Sequence, residues 1–318
     1  MPISRRESMS IAVLAGGTSP EREISFASGE SVCRALKQAG YGRVETLDPA
    51  DSGFLKEIES ASFDAVFIAL HGAGGEDGTI QGVLDYLHIP YTGSGVRASA
   101  CAADKDVSKI IFEHAGIPVA RGVTLCRGDE LNPDSLVAEL GKECFVKPAM
   151  NGSSLGVSLI RHPSELPKAV ERAFESSDKV LIEQRLIGTE ISVGVLGGRD
   201  AKALPVVEIM GQEGTDFYNK EVKYIDPALV HRIPARLPTG ICETAGALAL
   251  GAHRALGCYG FSRSDFIVTE EGPVILETNT IPGMTEASLF PDEIRHCGRT
   301  FAEACDEMIM LALQRVRA

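Results

Sequence analysis

Arg263-Ser-Asp-Phe-Ile-Val-Thr-Glu-Glu-Gly-Pro-Val-Ile-Leu-Glu-Thr-Asn279 is the stretch on which the reading of this chain turns. Two runs rich in β-branched and aromatic residues flank Thr269 to Gly272, so the segment is expected to fold as an antiparallel hairpin. Centring it on Glu271 sets Asp265 opposite Glu277 and Arg263 opposite Asn279. Side chains alternate between faces with period two. These four therefore share one face, while Phe266, Val268, Val274 and Leu276 are expected on the core face. Two carboxylates and an amide facing one another repel or waste hydrogen bonds unless a cation lies among them. Hard oxygen donors without Cys or His suit Mg2+. A polar sheet face closed by salt bridges to Arg263 is the competing reading.

Upstream, Cys144 to Lys147 and Val157 to Ile160 read as short strands joined by a Gly/Ser-rich loop, Gly152-Ser153-Ser154-Leu155-Gly156. Such a loop lets backbone N–H groups and hydroxyls converge on phosphate oxygens, and Lys147 adds a point charge. The loop also matches a nucleophile elbow centred on Ser154, which would make the chain a serine hydrolase. An elbow needs a helix after its serine, and here a strand-like run ending at Pro163 follows instead. Gly93-Ser-Gly95-Val-Arg-Ala98 matches a dinucleotide fingerprint formally but does not follow the first strand, so it reads as a turn. Ile191 to Leu196 and Lys202 to Ile209 are expected to pair around Gly197-Gly198, and Thr239 to Leu256 to be helical. Between them Met210 to Pro227 is long, polar and irregular, as a lid is.

Towards the N-terminus, Ser10 to Ala15, Arg43 to Leu47 and Phe63 to Leu70 read as strands separated by helical periodicity, which predicts a parallel α/β unit. Its functional loops are expected at the strand ends, Gly17 to Glu23 and His71 to Gly78. Thr18 or Ser19 is expected to cap the first helix, with Pro20 at its first position and Gly40 beyond its end. Ala98 to Ala115 reads as one helical stretch. The whole chain has 318 residues, enough for two or three domains. Its 31 Lys and Arg against 44 Asp and Glu give a net charge of −13. That balance argues against an extended nucleic-acid or anionic-membrane surface, though not against a compact anion. No apolar run reaches the ~18–20 residues that span a bilayer, and no secretory leader is read in the first residues. The eight cysteines include no C-x-x-C pair, which points to reduced thiols in a cytoplasmic protein.

Taken in order, these pieces resemble the D-alanine–D-alanine ligases of the ATP-grasp superfamily. The resemblance is carried by Ala15-Gly-Gly-Thr-Ser-Pro-Glu21, His71-Gly-Ala-Gly-Gly-Glu-Asp-Gly78, Tyr91-Thr-Gly-Ser-Gly95, Asp104-Lys105 and Val146-Lys147-Pro148. Gly152 to Gly156, Lys223-Tyr224, Arg263-Ser-Asp265 and Glu277 to Thr285 complete it. It implies an α/β chain, α+β in its ATP-grasp part, with three domains. These are a Rossmann-like domain at 10–95, a central subdomain at 96–185 and a C-terminal domain at 186–318 with a lid near 210–226.

The resemblance implies ligation of two D-alanines at the expense of ATP, through a D-alanyl phosphate, for peptidoglycan synthesis. It implies two Mg2+ ions, replaceable by Mn2+, on Asp265, Glu277 and Asn279. Lys105, Lys147, Lys223 and Ser154 would contact the phosphates, with Glu183 and Glu190 on the adenine and ribose sides. Glu21 would bind the ammonium of the first D-alanine, with Ser153 and Tyr224 linked to it by hydrogen bonds and His71 beside that substrate. Arg263 and the backbone of Gly283 would meet the oxyanion, and Ser288 and Leu289 the second D-alanine. A homodimer is implied. Relatives that form an ester with D-lactate tend to carry a His in the lid, so Lys223-Tyr224 favours the dipeptide. Against the usual pattern, Ser264 stands on the apolar side of the hairpin and requires a hydrogen-bond partner.

Overall fold

The computed structural model describes residues 6–150, 156–210 and 231–315. The chain opens with β1 (Ser10–Leu14), α1 (Arg22–Gln38), β2 (Arg43–Leu47), α2 (Phe54–Ser60) and β3 (Ala65–Ile68), and the strands form a parallel sheet in the order β2-β1-β3. Ile11 and Val13 enter one core while Ala12 and Leu14 enter another. Burial on both faces is why β1 is continuously apolar and does not alternate. The first helix begins at Arg22, later than the expected start at Pro20. Ser19 is used otherwise: its hydroxyl donates to the carbonyl of His71 at 2.6 Å and accepts the Glu21 N–H at 3.1 Å. That turn ties the loop after β1 to the loop after β3 and leaves Glu21 at the helix entrance.

Next come α3 (Thr79–Tyr86), α4 (Val96–Ala103) and α5 (Lys105–His114). The single helix expected over Ala98 to Ala115 is broken at Asp104, whose carboxylate accepts the N–H groups of Asp106 and Val107 at 3.1 and 3.3 Å. It is an N-cap that starts α5 afresh at Lys105.

The central part contains β4 (Gly122–Cys126), α6 (Pro133–Leu140), β5 (Cys144–Pro148), β6 (Ser158–Ile160), α7 (Leu166–Phe174) and β7 (Lys179–Gln184). Its antiparallel sheet has the order β4-β7-β5-β6. Val146 and Ile182 pack beneath it against Leu136 of α6 and Val170 of α7.

The last part runs through β8 (Thr189–Gly197), β9 (Lys202–Ala203), β10 (Val207–Ile209), β11 (His231–Arg232), α8 (Thr239–Leu256), β12 (Gly260–Thr269), β13 (Gly272–Asn279), α9 (Leu289–His296) and α10 (Phe301–Gln314). The strand expected over Lys202 to Ile209 is two short ones, both paired with β8. The sheet order is β11-β10-β8-β12-β13. Phe67 of β3 stacks on Phe261 of β12 in a core shared with Phe290 of α9 and Met308 of α10. This shared core joins the N-terminal sheet to the C-terminal part and brings its strand-end loops towards β13. Among the described residues, no helix is long and apolar enough to cross a membrane.

The hairpin keeps the expected register at one end, pairing Arg263 with Asn279 and Asp265 with Glu277. Between Asp265 and Phe266 the register shifts, so Phe266 pairs with Ile275 and Thr269 with Gly272. The extra residue is Leu276, a β-bulge, and it flips the facing of β13 towards the turn. Ile275, and not Val274 or Leu276 as expected, therefore joins Phe266 in the core, with Val268 packed against them. On this same apolar side Ser264 has the partner it requires, Thr278, with hydroxyl oxygens 2.8 Å apart.

Candidate active site

One face of the C-terminal sheet gathers the polar residues. Ser192 on β8, Asp265 on β12 and Glu277 on β13 lie in one row of the strand register. Arg263 donates from Nε and Nη2 to the two oxygens of Asp265 at 3.0 and 2.8 Å. Ser192 donates to Asp265 Oδ1 at 2.6 Å and Asn279 donates its amide to Oδ2 at 3.3 Å. Glu277 Oε2 lies 3.0 Å from the ammonium of Lys105, which enters from α5. The salt-bridged reading of this face is thus realised, with one cation for each carboxylate. Arg263 is half-buried, which alone would lower its pKa, but the charge and hydrogen bonds of Asp265 outweigh this and hold it above its ordinary value.

The same set fits Mg2+ in donor type. Asp265, Glu277 and the Asn279 carbonyl are hard oxygens on one surface, and the bond from Asn279 to Asp265 uses its N–H2 and not its oxygen. Among the described residues no cluster of three or more His, Cys, Asp or Glu could cage a metal by itself. Mg2+ commonly takes one or two carboxylates and completes its octahedron with water and substrate phosphates.

Lysines from the central part face this surface. Lys105 opens α5, and its N–H donates to the carbonyl of Ala149 at 3.0 Å, joining the helix start to the chain leaving β5. Burial alone would lower its ammonium pKa, but Glu277, helped by Glu183 and Glu76, holds it above the usual value. Glu183 on β7 is only 4% exposed and sits between two lysines. Its Oε2 lies 2.5 Å from Lys147 of β5, and its Oε1 bonds to Lys109, one turn beyond Lys105. Burial pushes the Glu183 carboxyl up, yet the two ammoniums more than offset it, so it stays below its ordinary range.

The N-terminal loops close the third side. His71 is buried; its Nε2 lies 2.8 Å from Ser28 Oγ and its Nδ1 3.3 Å from Glu76 Oε1. Ser28 Oγ in turn accepts the N–H of Met284 at 3.3 Å, next to Gly283. A Cβ on Gly72, whose φ is +73°, would come within 3.0 Å of Glu21 Oε2, so Glu21 and His71 border the same point. A Cβ on Gly283 would lie 2.7 Å from Ser288 Oγ, which also accepts the Thr285 N–H at 3.1 Å. Leu289 is buried at the start of α9. A cleft of about 110 Å3 lined by Gly72, Glu76, Lys105, Met150, Glu277 and Asn279 connects the three parts. A larger hollow of about 680 Å3 beside Gly198, Lys202 and Cys297 holds none of these residues.

The structure thus brings Arg263, Asp265, Glu277, Asn279 and Lys105 together, pairs Lys147 with Glu183, and sets Glu21, His71, Gly283 and Ser288 around the N-terminal loops. Glu190 lies on the same face of β8 as Ser192, opposite Ile267 and further along the strand. Ser153, Ser154, Lys223 and Tyr224 lie outside the described residues. Sequence reasoning missed Lys109, Ser192, Ser28 and Glu76. Lys109 left a signal, standing four positions after Lys105 on one helix face, and Glu76 lay within the expected functional loop His71 to Gly78.

Comparison with known proteins agrees with this geometry. Family models described as D-ala D-ala ligase N-terminus and C-terminus match residues 45–94 and 111–310. A D-alanine–D-alanine ligase of Desulforudis audaxviator is 43% identical over 96% of this chain and 99% of its own length. Another, of Syntrophobacter fumaroxidans, is 43% identical over 97% and 99%. The crystal structure of a Bacillus anthracis D-alanine–D-alanine ligase complexed with ATP superposes with a TM-score of 0.82 at 31% identity, covering 96% of this chain and 98% of that one. On the family models, the near-full-length identity and the shared fold, this chain belongs to the D-alanine–D-alanine ligase family.

Proposed function

We propose that this enzyme condenses two D-alanine molecules to D-alanyl-D-alanine, converting ATP to ADP and phosphate, for peptidoglycan synthesis. The observation that carries the reading is the row formed by Arg263, Asp265, Glu277 and Asn279 on one sheet face, met by Lys105 from α5. A carboxylate is a poor electrophile, so a carboxyl oxygen of the first D-alanine attacks the γ-phosphorus and ADP leaves. Lys105 and Lys147, with Lys223, offset charge on the phosphoryl group in transfer, beneath the loop that carries Ser154. Two Mg2+ ions held by Asp265, Glu277 and Asn279 would neutralise phosphate charge when bound.

Glu21, supported by hydrogen bonds with Ser153 and Tyr224, holds the first D-alanine by its ammonium, and His71 lines that position. Ser288 and Leu289 receive the second. Its neutral amine attacks the acyl carbon, the new C–N bond forms, and inorganic phosphate departs. Arg263, tethered to Asp265 in a bidentate pair, and the N–H of Gly283 face the oxygen on which charge develops. Glu183 and Glu190 serve the adenine and ribose sides. Residues 210–226 act as a lid, because an acylphosphate must be kept from water.

The three-part arrangement, with domains at 10–95, 96–185 and 186–318, belongs to this reading, as do a homodimer and a cytoplasmic location. Use of ATP and eight cysteines without a disulfide support the latter. Phosphate release from ATP with Mg2+, with and without D-alanine, and products identified by mass, tests it. Release that does not depend on D-alanine, or an ester with D-lactate formed in preference to the dipeptide, would overturn it.

A further inference from the structure

Lys109 has no part in the chemistry above, yet it makes the closest contact with the buried carboxylate of Glu183. One carboxylate between two ammoniums leaves a net positive charge in a place where side chains are nearly closed to solvent: Lys109 is 11% exposed, Lys147 12% and Glu183 6%. The two lysines are not equivalent. Lys109 is tethered a second time, donating to the carbonyl of Ala120 at 2.8 Å. Lys147 has Glu183 as its one ion-pair partner among the described residues and stands at the end of β5, where the chain enters the Gly/Ser loop.

If Lys147 paired with Glu183 alone, the two would form a closed neutral pair. Giving its ammonium to a phosphate oxygen would then strand a buried carboxylate, which is strongly unfavourable. With Lys109 fixed on the other oxygen, Glu183 stays neutralised whichever way Lys147 turns.

We propose that Lys109 is a positioning residue for the nucleotide: it holds Glu183 so that Lys147 is available to an anionic phosphate group. This inference rests on the nucleotide reading of Lys147 given above. It predicts that Lys109→Met ties Lys147 to Glu183 and raises the Kd for ATP about ten-fold or more, the scale of one charge-assisted hydrogen bond to the phosphate. The KM for D-alanine stays unchanged. In a Glu183→Gln background, where no carboxylate sequesters Lys147, adding Lys109→Met costs no further ATP affinity.

The test is calorimetric titration of ATP with Mg2+ into the wild type, Lys109→Met, Glu183→Gln, the double variant and Lys147→Met. Should Lys109→Met not fold, Lys109→Gln, which keeps a donor near Ala120 without the charge, carries the same comparison. A loss confined to the Glu183 background supports the inference. An equal loss in both backgrounds, or no loss in Lys109→Met while Lys147→Met binds ATP poorly, overturns it alone. Unchanged ATP affinity in Lys147→Met overturns the nucleotide reading beneath it.

Discussion

Asp265 and Glu277 stand in register on neighbouring antiparallel strands, and each is met by its own cation, Arg263 for the first and Lys105 for the second. Arg263 comes from the same strand, whereas Lys105 comes from the central part, so the carboxylate row is also where two parts of the molecule meet.

Glu277→Gln keeps the shape of this junction but removes a charge and an oxygen donor proposed for Mg2+. Turnover is expected to fall by about two orders of magnitude or more, since the charge that stabilises phosphoryl transfer is lost. The circular dichroism spectrum stays that of the wild type. Activity near the wild-type level would show that this row is not where the phosphates are held.

Ser28→Ala removes the hydroxyl that links the His71 ring to the backbone of Met284. Because Gly283 adjoins Met284, the effect is expected on substrate handling more than on stability: about a three- to thirty-fold fall in kcat/KM for D-alanine, as for loss of one hydrogen bond to a buried group. The Kd for ATP is unaffected. Steady-state kinetics varying each substrate separately checks this.

The hairpin register at the site was legible because period-two alternation and a turn sequence fix pairing locally. The bulge at Leu276 was not, since an apolar residue reads equally well on the core face or out of register. Asp104 could have been seen as a cap, yet the apolar pattern of Ala98 to Ala115 runs through it. The partners that complete the site were hidden for a different reason. Ser192 meets Asp265 and Lys109 meets Glu183 across more than seventy positions of sequence. Such contacts are set by sheet order and domain packing, which no local pattern encodes. Ser19 shows the reverse error, a true helix-start signal whose hydroxyl is drawn away by the carbonyl of His71.

His253, buried on α8 with its Nδ1 2.7 Å from Ser262 Oγ, has its pKa lowered to about 4 by burial and by Arg254. Below pH 6.5 the unfolded chain takes up this proton before the folded one does, so stability falls as pH drops from about 6.5 to 4. The loss is on the order of 3 kcal/mol. Urea unfolding at pH 7 and pH 4.5 is expected to show a smaller pH dependence in His253→Asn than in the wild type.

Glu293 on α9 acts in the opposite direction. It is fully buried over Gly194, and burial, only partly offset by the charge of Arg263, pushes its carboxyl well above the ordinary value. The folded state then holds a proton that the unfolded state releases. Stability from this group is complete below about pH 4.5 and is lost as pH rises through the raised pKa. Glu293→Gln is expected to raise Tm by about 2–6 °C at pH 8 and by less at pH 5. Scanning calorimetry at the two values decides it, and an equal shift at both would place the effect in packing.

In the proposed reaction a D-alanine carboxylate attacks the γ-phosphorus before the peptide bond forms. D-alanine labelled with 18O in its carboxyl group, incubated with ATP, Mg2+ and the enzyme, tests this by the mass of the released phosphate. One 18O atom in the phosphate for each D-alanyl-D-alanine formed is the predicted result. Unlabelled phosphate released alongside dipeptide would contradict the account.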